Sequence, residues 1–277
     1  MAGLAALSLF ACRQPSGESP VPEPTALASH VAARLPAVEP ALDREGLLLA
    51  GIRAASAAAS GEDDQESQRR LEGRRFDLRL RFGCPGDASA QAGTRQATFD
   101  RGRRAIRFRI TPDITAAAPL LASLGFGDME AAKGFWIRRP WLLVPACPAV
   151  PPPDAAATSL SPDGPHDDAS PPPASATAAA PRLGIVQTFT ASDARTHFND
   201  KRFYEATIVL KAGAEPSAKG YDLVLSGRLQ RMSAGKVIVC RDEGPHAPPA
   251  CLVSAVFDQI TLIRADTGEV LSQWAGA

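Results

Sequence analysis

The chain has 277 residues, with 30 Lys and Arg against 30 Asp and Glu, and only 6% of its residues are aromatic. This length accommodates one large domain or two small ones, and the zero formal charge excludes a globally basic nucleic-acid binder and an acidic disordered chain. No apolar run reaches the roughly 18 residues of a membrane-spanning helix, so none is predicted.

Residues 2–11, AGLAALSLFA, form an uncharged apolar run that ends at Cys12. The run is too short to cross a bilayer and matches the apolar region of a secretory signal. The string Leu9-Phe10-Ala11-Cys12 resembles the lipobox of bacterial lipoprotein precursors, with Leu third before the Cys and a small residue just before it. The resemblance covers only these dozen residues and concerns targeting. It implies that residues 1–12 are a signal peptide and lipidation site, and that acyl chains on Cys12 anchor the protein to a membrane. Arg13 stands where an Asp goes with inner-membrane retention, so the resemblance implies the periplasmic face of the outer membrane. Residues 13–25, RQPSGESPVPEPT, read as a flexible tether.

Residues 26–147 hold a helical part and then strands. A short helix is expected over 26–35 before Pro36. A longer one is expected over 40–59, with Leu42, Leu48, Leu49, Ile52 and Ala55 near one stripe. Pro40 suits its start and Gly61 its end. The stretch GEDDQESQRR that follows is polar and expected to be exposed. From about residue 74 the period changes to two: Phe76, Leu78, Leu80 and Phe82 alternate with Asp77, Arg79 and Arg81. Gly83-Cys84-Pro85-Gly86 stops this strand. Two further strands are expected over 95–100 and 104–110, the latter with Ile106, Phe108 and Ile110 inward. A helical turn falls around Pro119–Ser123. Residues 135–144, FWIRRPWLLV, read as a strand broken by Pro140, hence an edge or a bulge, that packs Phe135, Trp136 and Trp141 into the core.

Residues 148–181 contain ten Pro and ten Ala, with Val150 and Leu160 as the only large aliphatics. Such a composition builds no core and reads as a disordered or polyproline-like insert. Strands resume in 182–277, over 183–190, 203–211, 221–229, 235–240, 251–263 and 269–274. The last two join through Ala265-Asp266-Thr267-Gly268, a hairpin turn that sets Arg264 across from Glu269. The expected fold is mainly β (β-rich α+β), an antiparallel sandwich or open barrel with an amino-terminal helix packed on it. The pattern leaves open whether the two halves share one sheet.

Cys84, Cys147, Cys240 and Cys251 form an even set without CxxC spacing, which speaks for disulfides rather than zinc or thioredoxin chemistry. Cys240 ends one apolar run and Cys251 begins another, with the turn-rich RDEGPHAPPA between them. Pairing these two leaves Cys84 to pair with Cys147.

Three patterns touch on catalysis, and each has a plainer explanation. Asp266-Thr267-Gly268 matches the DTG of aspartic proteases, but it lacks apolar flanks and a second copy, and it is better read as the hairpin turn. Ser192, Asp193 and His197 lie close in sequence without a GxSxG elbow. His166-Asp167-Asp168 falls in the Pro/Ala insert, where fixing a metal would carry a large ordering entropy. No metal site and no cofactor is expected.

Arginine is the distinctive residue. From Arg69 to Arg109 there are twelve Arg and no Lys against four acids. Arg79 and Arg81 fall on the outer face of one strand, and Arg107 and Arg109 on that of another. If those strands are neighbours, their like charges oppose each other, and an anionic partner relieves the repulsion. The sequence therefore predicts a non-enzymatic envelope lipoprotein, a binding or assembly module that contacts an anionic envelope component or acidic protein through this face. The competing expectation is a periplasmic hydrolase whose site is assembled from residues distant in sequence.

Overall fold

The chain begins its regular structure with helix α1 (Arg44–Ser60) and helix α2 (Gln65–Leu71), followed by strands β1 (Arg75–Phe82), β2 (Arg95–Asp100), β3 (Ala105–Ile110) and β4 (Ile114–Thr115). A short helix α3 (Pro119–Ser123) precedes β5 (Met129–Trp136) and β6 (Arg182–Thr190). The remaining strands are β7 (Tyr204–Val209), β8 (Tyr221–Leu229), β9 (Ile238–Arg241), β10 (Ala250–Arg264) and β11 (Val270–Ala275). This computed structural model describes residues 39–62, 64–85, 94–124, 129–148, 182–190, 203–232, 234–244 and 248–276. The elements named above all belong to one compact unit, Pro40–Ala277. Cys12, the tether, the helix expected at 26–35, nearly all of the Pro/Ala insert and the Ser192–His197 group lie outside the described residues.

The sheet is built around β10. Its first residues, 250–254, pair with β6 and β9, and its last, 259–263, with β8 and β11. The main sheet has eight strands in the order β1-β8-β10-β6-β5-β4, with β9 and β11 both on β10. A second sheet has three strands, β2-β3-β7. Both sheets combine strands from before and after the Pro/Ala insert, so the two halves of the sequence are one structure.

The arrangement is mostly antiparallel, as expected, with β6 and β10 the one pair that runs parallel among the described strands. A parallel pair needs a long crossover, and the chain between these two strands provides it, carrying β7, β8 and β9 on the way. The smaller sheet packs on the larger through Phe108, which meets Tyr221 at 4.7 Å and Phe82 at 6.4 Å, and through the Tyr204–Trp274 contact at 5.5 Å. Helix α1 joins the same core with Leu47, Leu48, Ala54 and Ala55.

Local chemistry explains most boundaries. Asp43 caps α1, its carboxylate accepting from the Gly46 N–H, so the helix starts there and not at Pro40. Gly61, at φ 68, closes it in the left-handed conformation. The buried stripe differs from the expected one: Leu47 and Gly51 face inward, whereas Leu49 and Ile52 are exposed. Three consecutive leucines fit two overlapping stripes, and the fold selects the one containing Gly51. A Cβ there would stand 2.8 Å from Leu183 Cδ1, so glycine lets the helix approach the sheet. The polar stretch after α1 forms α2, supported by Glu66–Arg70 pairing one turn apart. Its Gln68 is buried.

The strand expected over 135–144 is displaced. Strand β5 ends at Trp136, and Arg139 (φ 52) and Pro140 turn the chain out of the sheet. Proline has no N–H for a ladder, and β5 instead extends backwards through Met129-Glu130-Ala131-Ala132, residues of weak strand propensity held by pairing with β6. Phe135 is buried as expected, but Trp141 is two-thirds exposed.

Candidate functional site: an arginine cleft

The turn after β5 lies against the start of α1 and the end of β1. Arg44, the first residue of α1, folds inward and is almost fully buried. Its Nε donates to Leu142 O at 2.8 Å, and its Nη2 to Arg138 O and Arg139 O at 2.7 and 3.0 Å. One guanidinium thus organises residues 138–142. The Cys84–Cys147 disulfide fastens the far end of this segment to the chain just after β1. A cation at the amino end of a helix meets the positive end of the helix dipole, so Arg44 concentrates positive potential there.

Arg95 opens β2 and is 1% exposed. Its Nη2 donates to Trp136 O at 3.3 Å, and its Cζ stands 6.0 Å from the Phe135 ring centroid. Its Nε and Nη1 are buried without a hydrogen-bond partner. The nearest carboxylate, Asp113, is 3.5 Å from Nη1 and is already engaged by the Trp136 N–H and the Thr94 hydroxyl.

Arg44, Arg81, Arg95, Arg138 and Arg139 together line a cleft whose cavity volume of about 10 Å³ is the room filled by one water or one ligand oxygen. Arg81 is satisfied: it makes a bidentate pair with Asp222 and donates to Lys219 O. Arg139 donates to Ala146 O at 2.9 Å. Arg44 finds carbonyls but no carboxylate at ion-pair distance among the described residues.

The electrostatics reflect this crowding. Burial pushes the Arg95 guanidinium down to about 10, with Arg138 and Arg44 adding to the depression and Asp113 opposing it. Arg44 is lowered mainly by burial, then by Arg139, against Asp222. Both remain cations at neutral pH. The cleft lining offers hydrogen-bond donors and apolar surface, with no nucleophile and no general base. Chemically, it can hold an anion's oxygen.

Among the four arginines singled out from sequence, Arg81 alone lines this cleft. The condition behind that expectation does not hold: β1 pairs with β8, while β3 lies between β2 and β7. Arg79 stands opposite Val224 and lines a separate depression with Asp43, Glu45 and Asp77. Arg107 stands opposite Thr98 and Thr207. Arg109 pairs with Glu205 at 3.7 Å and lies 4.2 Å from the Phe203 ring centroid. No like-charge apposition exists between those two strands.

Sequence reasoning missed Arg44, Arg95, Arg138 and Arg139. Only Arg95 carries a signal, because it shares the inward phase of Ala97 and Phe99 along β2. The other three are placed by tertiary contacts alone.

The cysteine pairing is as expected. Cys84–Cys147 and Cys240–Cys251 are bonded, and the latter two residues face each other in the β9–β10 ladder. Asp266-Thr267-Gly268 is the hairpin turn, with Gly268 at φ 74 and Arg264 N donating to Glu269 O at 2.8 Å. The described residues hold no group of three or more potential metal ligands and no helix long and apolar enough to cross a membrane. His166-Asp167-Asp168 lies outside them.

No protein-family model matches the chain, and neither a curated protein nor a solved structure matches it.

Proposed function

We propose that the protein is a non-enzymatic binding or assembly module of the bacterial cell envelope that engages an anionic partner at the arginine cleft. In this reading a lipid on Cys12 holds it at the periplasmic face of the outer membrane. The observation that carries the reading is Arg95, a buried cation with two donor nitrogens that lack a hydrogen-bond partner, beside four further guanidinium groups. Unpartnered buried donors and crowded like charges are unfavourable, and a bound anion offsets both. Two bonded cysteine pairs support an oxidising compartment, in line with the lipobox-like start. The exposed Arg79 and Arg107 contribute long-range attraction to the partner rather than the binding site itself.

The test is co-sedimentation of the full-length chain carrying Cys12→Ser, so that no acyl anchor inserts, with vesicles containing lipopolysaccharide or phosphatidylglycerol, against neutral vesicles. The expected result is retention on anionic vesicles at low salt that falls steeply at about 0.5 M salt, where screening reaches only a few ångström. Arg138→Glu is expected to weaken retention at least tenfold. Equal retention on neutral vesicles, or indifference to both salt and Arg138→Glu, would contradict the proposal.

A further inference from the structure

An apolar groove lies beside the arginine cleft. Leu48, Ile52, Pro140, Trp141, Leu143 and Leu183 line it, and its cavity volume is about 140 Å³. An apolar cavity of about 150 Å³ accommodates benzene, so the groove holds about six carbons. Its rim is unusually naked: Trp141 is 66% exposed, and Ile52 and Leu143 are each 43% exposed.

Two elements build both sites. Helix α1 places Arg44 in the cleft and Leu48 and Ile52 in the groove, about 6 and 12 Å further along its axis. The turn after β5 gives Arg138, Arg139 and Leu142 to the cleft, and Pro140, Trp141 and Leu143 to the groove. A cationic end and an apolar end thus share helix α1 and the turn after β5.

We propose that cleft and groove form one site for a free, single-chain anionic amphiphile, with its head oxygen held by Arg44, Arg95 and Arg138 and about six carbons of its chain in the groove. The proposal rests on the anion-binding reading of the cleft and names its ligand class. Charge complementarity selects an anionic head, since the head end of the site presents guanidinium donors. Concavity selects a monomeric chain over a membrane surface: a flat bilayer reaches protruding side chains, whereas these residues enclose a volume.

The test is isothermal titration of the full-length chain carrying Cys12→Ser, so that no acyl group of its own competes, with alkanoates of increasing length below their micelle concentrations. The dissociation constant is expected to fall about fourfold per methylene up to about six to eight carbons, then level off. Alkylammonium ions of matched length are expected to bind at least a hundredfold more weakly. Trp141→Ala and Ile52→Asp are expected to flatten the chain-length dependence while leaving the shortest alkanoates unaffected, and Arg138→Gln to weaken all lengths alike. Salt-sensitive alkanoate binding without any chain-length dependence would overturn this inference and leave the arginine cleft standing. Binding to anionic vesicles with none to monomeric alkanoates would also overturn it, in favour of a membrane surface. Absence of binding to any anion would overturn both readings.

Discussion

Arg95 Nη1 lies 3.5 Å from Asp113 Oδ2, near enough to attract but too poorly placed to hydrogen-bond, while that carboxylate serves the Trp136 N–H and the Thr94 hydroxyl. The pair is an incomplete buried ion pair. Asp113→Asn keeps an acceptor for Trp136 and removes the one countercharge within ion-pair distance of Arg95 among the described residues. It is expected to lower the unfolding free energy by about 2–4 kcal/mol, with part of the loss recovered on adding phosphate. The double variant Arg95→Met/Asp113→Asn is expected to return close to the parent, because an apolar replacement of a buried pair is often neutral or stabilising. Chemical denaturation with and without phosphate measures both.

The two disulfides differ in what they hold. In the chain-entropy account, Cys84–Cys147, which closes 63 residues, stabilises by about 4 kcal/mol, and Cys240–Cys251, which closes 11, by about 3 kcal/mol. Only the first fastens the segment carrying Arg138 and Arg139. Replacing both of its cysteines by Ser is expected to reduce affinity for short anions as well as stability. The same change at Cys240 and Cys251 is expected to reduce stability alone, as titration of each variant below its unfolding transition will show.

Gln68 joins α2 to β9. Its buried Oε1 accepts from the N–H groups of Val237 and Ile238, both at 2.9 Å, and its Nε2 donates to Asp64. Gln68→Met preserves bulk and strands two backbone donors. The expected loss is about 2–4 kcal/mol, seen as a lower urea midpoint at unchanged slope.

Gly227 tests the sheet. A Cβ there would stand 1.9 Å from Val256 O, beside the irregularity where β8 meets β10 at Phe257. Backbone cannot yield as a flexible side chain does, so Gly227→Ala is expected to destabilise by about 3 kcal/mol or more. Gly268→Ala, whose Cβ would meet nothing within 4 Å but whose φ is 74, is expected to cost only about 1 kcal/mol. Paired melting curves separate a steric clash from a conformational strain.

Burial pushes the Tyr204 phenol up to about 12, where an unfolded chain ionises near 10. A raised folded-state value means that the folded protein keeps the proton longer. The contribution is therefore complete below pH 10 and is lost as pH rises through about 12. Arg95 acts in the opposite direction over the same range, because its depressed value lets the folded state release its proton first. The comparison that isolates the phenol is Tyr204→Phe against the parent. Their stability difference is expected to be constant below pH 10 and to move in favour of the variant by about 2 kcal/mol towards pH 12.

Local signals foretold much of this structure. The alternation in β1 and β3, the Gly61 helix end and the 265–268 hairpin follow from side-chain period and turn chemistry, which neighbours reinforce rather than create. The Cys240–Cys251 pair followed from two apolar runs around a turn-rich loop. What stayed hidden depends on partners distant in the chain. Strand β5 looks unlike a strand because β6 holds it in place. Gln68 sits in a polar stretch and is buried only because β9 leaves two N–H groups to satisfy. The arginine cleft draws Arg44, Arg81, Arg95, Arg138 and Arg139 from four separate segments, and in sequence nothing distinguishes Arg44, Arg138 and Arg139 from the exposed arginines around them.

The most direct test of the cleft is a phosphate titration of the full-length chain followed by calorimetry, in parent and Arg138→Gln protein across a salt series. Saturable binding to the parent that weakens with salt, and a loss of at least tenfold in the variant, is the predicted result. A parent protein that takes up no phosphate, or a variant that binds it as well as the parent, would contradict it.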